Sequence, residues 1–242
     1  MRIAMWSGPR NLSTAMMYSF GARADFSVID EPFYSAYLTQ TGLDHPMRDE
    51  ILASQPCDPK DVIARLLGPI PDGKPHFYQK HMTQHMIEGV PRDWIEEVTN
   101  VILIRHPARV AASFSAKYDN PTLADMGFTQ QLDLYEQLKS QGRTPVVVDS
   151  AEIRRDPEGM LRQLCEVIGL SWDPEMLSWA KGGHPADGVW AQHWYGTVHR
   201  STGFAPAEGN LPDLSEDQAV LAEAAMPYYL PLSEVALGRA KA

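Results

Sequence analysis

The chain has 242 residues, 44% of them hydrophobic and 21% charged. That is ordinary globular composition, and it excludes disorder, collagen or coiled coil as a description of the whole. Thirty-one acidic residues outnumber 21 basic ones, for a formal charge of −10, so no duplex nucleic-acid surface is expected and an anionic ligand must be held by a local cationic cluster.

A chain this long buries roughly 70% or more of its unfolded surface and needs no disulfide or metal staple. Cys57 and Cys165 are far apart, form no CxxC and are expected to stay reduced. No apolar run approaches the roughly 18 residues of a membrane span, and MRIAMWSGPR lacks the apolar core of a secretory signal. The expectation is a cytoplasmic protein with no membrane or nucleic-acid partner. A single α/β domain over 1–242 is expected, with a long aromatic-rich loop at about 185–210 and a C-terminal helical segment.

In chain order, residues 2–6 read as a buried strand followed by a Ser-Gly-Pro turn, and 12–20 carry apolar residues at helical spacing. Residues 26–29 form a second strand, 61–67 a helix, 77–81 a short strand and 98–104 the clearest buried strand. His106-Pro107 ends that strand, and 109–116 are helical. A helix over 132–140, a strand over 145–149 and a helix over 158–168 follow, with Gly169 just past the last end. Buried strands alternating with helices predict a parallel β-sheet flanked by helices. Ligands then bind at the carboxyl ends of the strands. Residues 190–209, rich in aromatics, Gly and His, have no clean period and read as a functional loop.

Two turns carry candidate chemistry. Ser7-Gly8-Pro9-Arg10-Asn11-Leu12-Ser13-Thr14 joins the first strand to the first helix, where backbone N–H groups and a helix N-terminus favour an anion. Arg10 adds a fork suited to phosphate or sulfate, while Ser13 and Thr14 add hydroxyls that also suit a helix start. GxxxxGK[ST] is absent, and with it the lysine that reaches the terminal phosphates of ATP. The plain alternative is a capped βα turn. The second turn, Ile104-Arg105-His106-Pro107-Ala108-Arg109-Val110-Ala111-Ala112-Ser113, puts Arg105 at a strand end and Ser113 about two helical turns on. Arg109 is expected to be a solvated surface arginine.

Together the two turns resemble the P-loop sulfotransferases, which use 3′-phosphoadenosine-5′-phosphosulfate. The family's 5′-phosphosulfate loop reads roughly Pro-Lys-Ser-Gly-Thr-Thr-Trp. Pro9 to Ala15 is similar, with arginine for the lysine and leucine for the inner glycine. The family's 3′-phosphate motif is Arg-Asn-Pro with a serine eight residues after the arginine, a spacing that Arg105, Pro107 and Ser113 match. The resemblance implies a P-loop NTPase-like fold and a donor site made by Gly8, Pro9, Arg10, Asn11, Leu12, Ser13, Thr14, Arg105 and Ser113. It also implies transfer of a sulfuryl group to a hydroxyl or amine of a small-molecule acceptor, which the sequence does not specify.

Sulfuryl transfer needs a base for the acceptor's proton. Glu31, in Asp30-Glu31-Pro32 at the second strand's end, resembles the glutamate that serves some sulfotransferases, with an exposed turn residue as the plain alternative. Tyr78-Gln79-Lys80-His81 resembles the Lys-Thr-His of cytosolic members without its spacer, so Lys80 or His81 can be aligned, not both. Lys80 would then assist at the bridging oxygen, or His81 would be the base. His76, Lys80, His81 and His85 lack the carboxylate of an HExxH site, and no metal is expected. In the late loop, His199-Arg200-Ser201-Thr202-Gly203 resembles the family's basic closing segment, with Arg200 on the 3′-phosphate and Trp194 or Tyr195 walling the acceptor pocket. A packed aromatic cap is the plainer reading of the tryptophans. Two rivals stand beside a sulfotransferase: a nucleotide-dependent kinase or other phosphoryl transferase, opposed by the missing lysine, and a non-catalytic nucleotide-binding module. Scattered aromatics permit a homodimer.

Overall fold

The computed structural model describes residues 1–116, 118 and 121–238. In chain order the elements are β1 (Arg2–Ser7), α1 (Ser13–Gly21), β2 (Phe26–Asp30), α2 (Tyr34–Thr41), α3 (Arg48–Ser54), α4 (Pro59–Leu67), β3 (His76–Met82), β4 (Thr99–Ile104), α5 (Pro107–Ser115) and α6 (Leu123–Met126). There follow α7 (Phe128–Ser140), β5 (Val146–Asp149), α8 (Ser150–Arg155), α9 (Pro157–Ile168), α10 (Ala191–Trp194) and α11 (Glu216–Glu234).

The five strands form one sheet in the order β2-β3-β1-β4-β5, and every pairing is parallel. The reason is visible in β1 and β4, whose residues Ile3 to Trp6 and Val101 to Ile104 are fully buried. A strand apolar on both faces must be covered on both, which crossover helices of a parallel sheet provide. Alternation then divides the core. Ala4, Trp6, Ile102 and Ile104 face a layer with Val110, Phe114, Leu134 and Tyr229. Ile3, Met5, Val101 and Leu103 face the other, with Met16, Phe20, Leu161 and Leu164. α11 closes the first layer over α5 and α7. It starts on a capping box of Ser215 and Gln218 and runs through Pro227 and Pro231.

From β1 the chain leaves toward β2 on one side of the sheet, and from β4 toward β5 on the other. Adjacent strands whose connections diverge leave a crevice at their carboxyl ends. The turns after β1 and β4 flank it.

Each expected strand forms, within a residue or two of its expected ends. Helices α2, α3, α6 and α8 were not anticipated. The stretch 190–209 is less open than expected, because α10 and a 3₁₀ turn at Val198–Arg200 occupy its first half. Among the described residues no helix is long and apolar enough to cross a membrane.

Candidate active site

The loop after β1 is shaped by close approach. A Cβ on Gly8 would lie 2.4 Å from the Met126 carbonyl oxygen, so only glycine fits there. The buried Asn11 amide donates to the Leu103 carbonyl at 3.2 Å and ties the loop to β4. Arg10 and Leu12 take left-handed backbone, at φ 63° and 71°, a conformation costing a non-glycine residue about 1–3 kcal/mol. α1 opens from Leu12 without a side-chain cap from any described residue. Its first-turn N–H groups lack intrahelical partners. The plain alternative of a capped βα turn is not realised: Leu12 is the N-cap with no side-chain cap bond, and Ser13 lies inside the first turn.

Pro9, Arg10, Asn11, Leu12, Ser13 and Thr14 line a cavity of about 360 Å³, together with Glu31, Lys80, Arg105 and Ser113. The two turns touch directly. Arg10 Nε donates to Ser113 Oγ at 2.9 Å, and Arg105 Nη1 donates to the Arg10 carbonyl at 2.7 Å. Burial, reinforced by the positive charge of Arg105, holds the Arg10 guanidinium below its ordinary pKa. Arg10 has no carboxylate partner among the described residues. Arg105 by contrast pairs with Glu208, as do Arg109 and Arg154. Arg109 is therefore not the solvated surface arginine expected: its side chain is only 16% exposed.

Across the cavity β2 and β3 build a charged cluster. Lys80, 1% exposed, donates to Asp30 Oδ1 at 2.9 Å, to Glu31 Oε1, and to the Tyr195 hydroxyl at 2.7 Å. That hydroxyl lies 3.1 Å from Glu31 Oε1 and 2.9 Å from Asp30 Oδ2, and accepts from Trp190 Nε1 at 3.0 Å. The Gly188 N–H donates to Asp30 Oδ2 at 3.0 Å. Glu31 leaves the strand at φ 38°, its N–H bonded to the Lys80 carbonyl at 2.9 Å. Burial of Glu31, opposed by Lys80 and augmented by the Asp30 charge, leaves its carboxyl above the usual carboxylate range. Burial pulls Lys80 down, but Asp30 and Glu31 outweigh it and hold the ammonium above its ordinary value.

Three expected site residues are not brought to the cavity lining. Gly8 sits beneath the loop. Arg200 is exposed on its 3₁₀ turn. His81, next to Lys80 in β3, points to the opposite face, stacked on Trp6 with ring centroids 4.4 Å apart. Burial, then Lys80, pushes its pKa down to about 3. His81 is thus a core imidazole held away from the cavity, whereas Glu31 lines it. Trp194 and Tyr195 both line it. Asp30, Tyr34 and His85 lie in the two stretches singled out in the sequence but were given no binding role, and His45, Tyr118, Arg154 and Glu208 were not singled out. Strand-end position marks Asp30 and Tyr34; His45, Tyr118, Arg154 and Glu208 arrive by long-range packing.

A parallel sheet whose central strand opens into a cation-bearing loop at a helix N-terminus, with a second cationic turn beside it, defines the P-loop type of group-transfer protein. The chain belongs to the sulfotransferase domain family, whose model matches residues 1–236. Two curated relatives from Arabidopsis thaliana, branched-chain-amino-acid aminotransferase-like proteins 2 and 1, are 38% and 39% identical over 203 residues. That stretch is 84% of this chain, which spans about a third (36%) of the length of each relative. Among solved structures, the sulfotransferase domain from the curacin biosynthetic pathway aligns with a TM-score of 0.54 at 15% identity, over 92% of this chain and 96% of that one. At that identity the likeness speaks for the fold.

Proposed function

We propose that the chain transfers a sulfuryl group from 3′-phosphoadenosine-5′-phosphosulfate to a hydroxyl or amine of a small acceptor. The observation that carries this reading is the Arg10 guanidinium, which faces the cavity without a carboxylate partner among the described residues and within reach of Ser113, while Glu31 lines the same cavity. A half-buried, unbalanced cation calls for an anion. Arg10, Ser13, Thr14 and the α1 N-terminus hold the 5′-phosphate, and Arg105 with Ser113 holds the 3′-phosphate. The acceptor lies against Tyr34, Phe114 and Trp194, within a cavity in the size range of small-molecule sites.

The chemistry is an in-line displacement. The acceptor's lone pair forms a bond to sulfur as the bond from sulfur to the bridging phosphate oxygen breaks. The leaving electron pair stays on the 5′-phosphate, where Arg10 and the helix N-terminus stabilise it; Lys80, whose three N–H donors go to Asp30, Glu31 and Tyr195, reaches the bridging oxygen only by exchanging one of them. The acceptor's proton passes to Glu31, whose raised pKa suits a base at neutral pH. The step needs positioning and charge, and no redox partner. Phosphoryl transfer from ATP is disfavoured by the missing P-loop lysine.

Arg10→Ala is expected to lower transfer from labelled donor by about 10²–10³-fold, in the manner of a lost charge-stabilising donor, with an unchanged circular dichroism spectrum. The wild type should be stabilised thermally by adenosine 3′,5′-bisphosphate more than by ATP. Full activity in the variant, or a larger shift with ATP, would count against the assignment.

A further inference from the structure

Three arginines from three places in the fold converge on one carboxylate. Arg105 follows β4, Arg109 lies on α5 and Arg154 on α8. Arg109 Nε is 2.9 Å from Glu208 Oε2, Arg154 Nη1 is 2.6 Å from Oε1, and Arg105 Nη2 donates to the same Oε1. The Glu208 side chain is only 3% exposed, although its neighbours are not buried. Residues 205–209 belong to no helix or strand and make no backbone–backbone hydrogen bond among the described residues. Arginines pin the segment instead: Arg154 Nε donates to the Pro206 carbonyl at 2.9 Å, and Arg109 donates to the Gly209 carbonyl. Arg105, Arg154 and Ala205 line the same cavity as Arg10 and Ser113.

Three guanidinium forks around a single carboxylate leave positive charge in excess. A phosphate monoester offers a second negative charge and three terminal oxygens, which such forks bind bidentately. We propose that the trio Arg105, Arg109 and Arg154 is a phosphate-monoester site whose resident occupant is Glu208, and that the 3′-phosphate of the donor nucleotide displaces it. This rests on the donor reading above. The exchange unpins residues 205–209, so the position of that strap beside the cavity is coupled to nucleotide occupancy. The coupling equals the difference in affinity of the nucleotide for the two arrangements. Selectivity for a 3′-phosphorylated nucleotide then depends on Arg154 and Arg109 as well as on Arg105.

The full chain is titrated calorimetrically with adenosine 3′,5′-bisphosphate and, separately, with adenosine 5′-phosphate. The wild type should prefer the bisphosphate. Glu208→Gln keeps the side chain's size and removes the competing charge. It should tighten the bisphosphate about tenfold, the worth of one charge-assisted contact, and leave the monophosphate unmoved. Arg154→Ala should weaken the bisphosphate about tenfold, again without effect on the monophosphate. Where Glu208→Gln folds poorly by circular dichroism, Arg154→Ala and Glu208→Asp carry the comparison, the aspartate again tightening the bisphosphate alone. Variants that change both nucleotides equally, or neither, overturn the masked site while leaving the donor reading intact. A wild type that binds neither nucleotide overturns the donor reading itself.

Discussion

Lys80 carries its ammonium into a place nearly closed to water, and two carboxylates and a phenol meet it there. A buried cation is tolerated only when paired and hydrogen-bonded. Here the pairing is asymmetric, because Asp30 and Glu31 face one lysine. The surplus negative charge helps hold the Glu31 carboxyl above its ordinary range, while the hydrogen bond from Tyr195 works in the opposite direction. If Glu31 is the base, as proposed, the acid limb of the kcat profile should follow it, since the base must be ionised to accept a proton. Asp30→Asn removes a like charge, so the limb should move to lower pH. Tyr195→Phe removes a donor to the carboxylate, so it should move to higher pH. Opposite displacements in a pH–rate series are the signature; two shifts of the same sign would show that Glu31 does not set the limb. Glu31 and Lys80 were legible in the sequence because strand ends are where a parallel sheet puts its chemistry. That Lys80 and His81 face opposite sides follows from strand geometry, but which of them faces the cavity is left open by the sequence and is set by the packing of His81 on Trp6. Tyr195 reaches Asp30 across 165 positions, and no local period carries that information.

At the scale of elements, the loop after β1 is held against α6 and α7. Gly8 packs under the Met126 carbonyl, and Gly127 turns at φ 70° beside Thr83, whose hydroxyl donates to the Gly127 carbonyl at 3.0 Å. The anion loop and the start of α7 therefore cannot shift independently. Gly8→Ala places a methyl group 2.4 Å from a backbone oxygen, an overpacking that should cost about 1–3 kcal/mol. In a chain this long that corresponds to a melting temperature lower by roughly 2–12 °C, readable by calorimetry. An unchanged melting temperature would show that the loop can give way. The strands were legible because continuous apolar runs between turn residues leave little alternative. Helices α2 and α3 were not. Tyr34–Thr41 and Arg48–Ser54 are short, and α2 has no capping side chain among the described residues. Their burial against Trp190 and Tyr195 comes from the late loop. That loop was read as an irregular functional segment, and its helical turn at Ala191–Trp194 was hidden by aromatic composition.

At the scale of the molecule, the sheet divides its labour between faces, and β3 shows the division in two adjacent residues. Lys80 serves the cavity, while His81 is pressed between Trp6, Phe33 and Trp94 on the core side. A histidine held neutral in this way makes the fold sensitive to acid. Burial, then the Lys80 charge, lowers His81 to about 3, whereas an unfolded imidazole titrates near 6.5. Between those values the unfolded chain binds a proton that the native chain refuses, so stability falls as pH falls. The slope contributed by one such group approaches about 1.4 kcal/mol per pH unit. His85, lowered by burial first, adds to it with the same sign. Urea unfolding followed from pH 7 to pH 5 should show midpoints dropping steadily. His81→Phe, which keeps an aromatic ring against Trp6 and removes the titration, should make that decline shallower whatever its stability at pH 7. Parallel declines in the two proteins would mean that the native His81 takes up the proton, and the core side of β3 would then be open to water in a way its packing denies.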